Sequence, residues 1–122
     1  MEGPVDPENP DPDASLYFGV IERYGDGLDP VGAGTVSFRS FMNLYVVLRS
    51  LGADGITPDA ITEVLRSAEE APSFNGHPYT CDGAHFEELP ALCSPQQVLV
   101  ELEGGTLTQI TDWIDVGAVY RR

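Results

Sequence analysis

The hydrophobic positions fall into three helical stripes followed by an alternating stretch. Leu16, Tyr17, Val20, Ile21 and Tyr24 recur at spacings of three and four, the period that lines one face of an α-helix. Asp13 or Asp11 supplies an N-cap, because a short carboxylate accepts from the N–H groups that a first turn leaves unpaired. Gly25 ends the stripe, so a first helix is expected over about residues 14–24. From Gly34 the period returns as Val36, Phe38, Phe41, Leu44, Tyr45, Leu48 and Leu51, and Gly52 stops it. Thr57-Pro58-Asp59 opens a third helix with a hydroxyl cap, a proline whose missing N–H is not needed there, and an acid against the positive end of the dipole. That helix is expected to run to about Glu69 and to bury Ile61, Val64, Leu65 and Ala68.

The intervening segments are dense in breakers. Pro4, Pro7, Pro10 and Pro12 bias residues 1–13 to extended backbone, a lead-in that holds no helix or central strand. Residues 71–96 carry Pro72, Gly76, Pro78, Gly83, Pro90 and Pro95 and are expected as one long irregular loop, a length that is usually functional or stapled. Residues 97–113 then predict a β-hairpin, with Val98–Leu102 and Thr106–Trp113 flanking a Glu103-Gly104-Gly105 turn. No internal repeat is visible. The fold class expected is α/β, or α+β for the chain by itself, with residues 14–122 forming one unit.

The second stripe needs more cover than this inventory supplies. Phe38, Phe41, Met42, Leu44, Tyr45, Val46, Val47 and Leu48 run around most of its circumference, as in helices buried on several sides. One short hairpin is too little sheet to cover three apolar stripes. The chain alone is therefore expected to be aggregation-prone or partly molten.

Composition narrows the function classes. A length of 122 residues fits a single domain. Twenty acidic side chains against six basic ones, all arginine, give a net charge of −14. That field repels phosphate backbones and anionic lipid, so no nucleic-acid partner and no direct membrane insertion are expected. The acids are spread along the chain, which suits solvation better than a docking patch. No run approaches the roughly 18 apolar residues of a membrane helix, and Met1 opens no secretory signal.

Cysteine chemistry offers the sharpest site. Cys81 and Cys93 both lie in the Pro-Gly-rich loop, where a disulfide would staple a segment with little packing of its own. Two free thiols are the plain alternative. A third reading takes His77, Cys81, His85 and Cys93 as a zinc set, although their spacing lacks the Cys-x2-Cys knuckle. No catalytic residues are expected: no nucleophile elbow or oxyanion-hole motif is present, so the chain is not read as an enzyme. Gly25-Asp26-Gly27 and Gly32-Ala33-Gly34 follow no predicted strand and are not phosphate loops, and the acids of residues 6–13 lack the central glycine of a calcium loop. No cofactor is implied. Tyr79 and Trp113 could line a ligand cleft, with core packing favoured for Trp113.

The order of these features resembles the C-terminal part of a solute-binding protein of the leucine/branched-chain amino-acid-binding family. The resemblance rests on Tyr24-Gly25, the Pro30 turn, the aromatic helix ending Leu48-Arg49-Ser50-Leu51-Gly52, and Ile56-Thr57-Pro58-Asp59-Ala60. The segments from Phe74 to Gly83 and from Leu89 to Gln97 look like a loop of actinobacterial members. The resemblance covers about residues 11–116 and implies a two-lobed fold that closes on a small polar solute, such as an amino acid, and delivers it to the membrane permease of an ABC importer. It implies an extracytoplasmic location for a longer parent protein. No ligand-contact residue carries over, because the motifs that hold the solute lie upstream in the family. A stand-alone acidic interaction module, stapled by a disulfide or zinc, is the alternative.

Overall fold

A computed structural model describes residues 11–30 and 34–120. The described residues are mixed helix and strand: four α-helices, one 3-10 turn and three separate two-stranded antiparallel sheets. Helix α1 spans Pro12–Tyr24 and α2 spans Gly34–Leu51. Asp11 is the N-cap of α1, its carboxylate accepting from Ala14 N at 2.8 Å. Pro12 is therefore helical, against the expectation of an extended lead-in to residue 13, because a proline at the first position forfeits only an N–H that would have no partner. The remainder of that lead-in, residues 1–10, lies outside the described residues. Gly52, at φ 69°, ends α2 as expected, and the 3-10 turn Ala53–Gly55 leads into α3, Pro58–Arg66, capped by Thr57 Oγ1.

Helix α3 stops three residues before the expected end. Ser67 N still bonds back to Glu63 O, but Ala68 O accepts instead from Cys81 N at 3.0 Å, and Glu70 turns to φ 47°. A tertiary bond thus takes the carbonyl and turns the chain away. None of Ile61, Val64, Leu65 and Ala68 is fully buried; all are intermediate.

The expected irregular loop begins with a hairpin. Strand β1, Ala71–Ser73, pairs with β2, Gly76–Tyr79, around the turn Phe74-Asn75, with Asn75 at φ 47°. Pro72 and Pro78 argue against strands only where both ladder neighbours exist. In an isolated two-stranded ribbon every residue is on an edge, and a proline there leaves its missing N–H facing outward or at an irregularity. Such an irregularity interrupts this ribbon between Ala71 and Ser73.

Farther on, β3 (Gln96–Gln97) pairs with β6 (Ile114–Asp115), and β4 (Val100–Glu103) pairs with β5 (Thr106–Gln109). The β4–β5 turn is Gly104-Gly105 with φ of 57° and 88°, the two positive values that a type I′ hairpin requires. Trp113 falls between β5 and β6 rather than on the hairpin strand where it was expected. A short helix α4, Val116–Tyr120, not anticipated from the sequence, follows β6.

The interior is small and aromatic. Ala14, Tyr17 and Val47 are the buried hydrophobic residues among those described. Tyr17 packs edge-on against Phe38 at 5.2 Å between ring centroids, and Phe38 against Phe74 at 5.5 Å, so one chain of rings joins α1, α2 and the first hairpin. Tyr17 OH donates to Pro30 O at 2.9 Å, holding the turn after α1 over the same cluster.

Candidate functional site

Two polar side chains hang the first hairpin on the helices. Asn43, in the middle of α2, accepts from Phe74 N at 2.8 Å and donates to Ser73 Oγ at 3.2 Å. Asp13, in the first turn of α1, accepts from Asn75 N at 2.7 Å. These bonds satisfy the backbone donors of a tight turn that a two-stranded ribbon cannot itself satisfy. They also fix β2, and β2 delivers the chain to Cys81.

Cys81 and Cys93 form a disulfide with Cα atoms 4.4 Å apart. Around it Thr80 N donates to Cys93 O and Cys81 N to Ala68 O, each at 3.0 Å, so the end of α3, the end of β2 and the far side of the loop meet at one point. Inside the stapled loop Asp82 accepts from Ala84 N at 2.9 Å, and Gly83 takes φ 74°.

The disulfide borders a shallow concavity of about 320 Å³ between α2, α3 and the first hairpin. Arg39 and Asn43 of α2, Leu65 of α3, Tyr79 of β2 and the two cysteines are among its walls. That volume lies in the range of small-molecule clefts, and Arg39 is the charged group on its wall. Asn43 already spends both ends of its amide on the hairpin. A second, larger concavity lies along one face of α3, lined by residues from Asp59 to Ser67, and among the described residues no other element lines it.

The sequence-derived candidates divide. The cysteine pair is joined as expected, and with both sulfurs in that bond neither is a thiolate that zinc could take. Among the described residues no three His, Cys, Asp or Glu side chains come together to hold a metal ion. His77 packs edge-on against Trp113 at 5.4 Å, with Nδ1 2.7 Å from Pro78 O. His85 is set inside the loop, its Nε2 enclosed and without a hydrogen-bond partner. Tyr79 lines the concavity, whereas Trp113 packs on His77 and ties the C-terminal segment to the first hairpin. Arg39 and Asn43 were missed as site-forming residues. Their signal, polar side chains set among the aromatic and aliphatic residues of α2, is visible in the sequence but does not say what they meet.

Among the described residues no helix is long and apolar enough to cross a membrane. No family model matches the chain, and no curated protein or solved structure matches it either.

Proposed function

We propose that the chain is the C-terminal segment of an extracytoplasmic receptor that captures an amino acid or similar small polar solute for an ABC importer, and that it does not bind the solute alone. The observation that carries this reading is the amount of apolar surface left uncovered. Phe41 and Tyr45 on α2, Leu28 after α1, and Leu102 and Leu107 on the last hairpin are all exposed. Such side chains on separate elements suit a piece of a larger two-lobed fold, in which other layers cover them. The disulfide suits an oxidising compartment, where receptors of this kind work. The contribution to the parent would be outer helices of one lobe, a stapled loop and a terminal hairpin, with closure driven by a solute that bridges the lobes and favours the closed state.

Reading the DNA upstream of Met1 in frame tests it: an export signal and a further α/β lobe are expected, and a stop codon next to a ribosome-binding site would overturn the proposal. Calorimetry on the chain alone with a branched-chain amino acid should give no heat of binding. Micromolar binding there would show that the segment is ligand-competent by itself.

A further inference from the structure

The last hairpin, β4–β5, is an edge on both sides. Neither strand has a second partner among the described residues, and every residue of both is exposed. Ile110 N donates to Leu99 O at 2.9 Å, and bonded and non-bonded pairs alternate along an antiparallel ladder. Glu101 with Thr108 and Glu103 with Thr106 are therefore bonded pairs. The backbone N–H and C=O groups of Val100 and Leu102 on β4, and of Leu107 and Gln109 on β5, point away from the partner strand. Rows of this kind are templates for a further strand.

The two edges differ in chemistry. Strand β4 carries Glu101 and Glu103, and charges along an edge discourage pairing. Strand β5 is Thr106-Leu107-Thr108-Gln109, with no charge, no proline and two β-branched residues. Val100, Leu102 and Leu107 share the face opposite the glutamates, and Leu102 stands directly across from Leu107.

We propose that β5 is the pairing surface for a second copy of this chain, the two β5 strands running antiparallel about a two-fold axis at Leu107. The outward N–H and C=O of Leu107 then bond those of Leu107 in the second copy. Thr106 meets Thr108 of the other chain in both directions, a favourable hydroxyl pair, and no charged residue faces another across the new ladder. Because Leu102 already faces Leu107, four leucines form one unbroken row across four strands. The edge is thus complementary to itself, which singles out a second copy as its occupant. The β4 strands of the two copies lie on the outside, three strand spacings or about 14 Å apart. That exceeds the screening length of about 8 Å at physiological ionic strength, so their glutamates barely interact there. The net charge of −14 per copy still opposes association when salt is low. The inference rests on the hairpin alone and not on the receptor reading.

Sedimentation velocity of the 122-residue chain, at low micromolar concentration and at about 10 mM and about 150 mM salt, tests it. A species of twice 13.2 kDa is expected at the higher salt, with dissociation at the lower. L107E and L107K should each weaken the dimer by about tenfold or more, since residue 107 faces itself across the axis. An equimolar mixture of the two should recover it as a heterodimer. A monomer at both salts, a polydisperse distribution, or a mixture that fails to recover would overturn the proposal. So would a native dimer that survives L107E or is dispersed instead by Phe41→Glu, which would move the interface to α2.

Discussion

Asn43 ties α2 to the first hairpin at the scale of a single residue: its amide oxygen accepts from the backbone N–H of Phe74 and its amide nitrogen donates to the hydroxyl of Ser73. Removing it leaves the N–H of Phe74 part-buried and unpaired, which is the expensive half of losing a hydrogen bond. Asn43→Ala should therefore destabilise the docking of the first hairpin by about 1–3 kcal/mol, read as faster amide exchange at Phe74. Asn43→Asp keeps the acceptor oxygen for Phe74 N, and the Ser73 hydroxyl can turn to donate to its second oxygen, so its exchange at Phe74 should stay close to wild type. Exchange at Phe74 unchanged in the alanine variant would mean that ring packing of Phe74 on Phe38 holds the turn without the amide. Asp13 illustrates the limit of local reading. Its place near the start of a helix is legible as a capping acid, but Asp11 takes the cap, and Asp13 bonds a turn 62 residues away.

Among the elements, the disulfide is the joint that the hydrogen bonds alone do not replace. It closes a separation of 12 residues whose own internal bonds are short-range turns, so the chain-entropy account assigns it up to about 3 kcal/mol. A Cys81→Ser, Cys93→Ser double variant should lose up to that amount in urea unfolding. The amides of Thr80 and Cys81 should exchange faster, because their acceptors on Cys93 and Ala68 are brought into register at the staple. The exchange of α1 should be unaffected. Equal acceleration across α1 and the loop would show instead that the chain unfolds as one unit and that the staple supports all of it. Helices α1 to α3 were legible because caps, glycine stops and the 3.6-residue period are local. The last hairpin was legible because two glycines with positive φ mark its turn. The first hairpin was not, since its prolines speak against strands and its turn is held by Asp13 and Asn43 from other elements.

For the molecule as a whole, the small interior and the large exposed apolar area point to weak cooperativity. With Ala14, Tyr17 and Val47 as the buried hydrophobic residues described, each large side chain left outside contributes little to a folding transition. The chain should bind a hydrophobic dye at neutral pH and melt over a broad range, even as a dimer, because pairing through β5 leaves Phe41 and Tyr45 of α2 uncovered. A sharp two-state melt with no dye binding would count against this and against the need for further layers. Local spacing and composition are enough to specify the three main helices, the glycine turn of the last hairpin, the acidic field and the presence of two cysteines in one loop. Each of these follows from neighbours within a few positions or from a sum over the chain. The packed chain adds that Cys81 is bonded to Cys93, that α3 ends where Ala68 is taken by Cys81, and that two prolines sit in a ribbon held by Asn43. Those outcomes depend on which distant groups satisfy one another's hydrogen bonds, and that pairing is set by packing in space rather than by spacing along the chain.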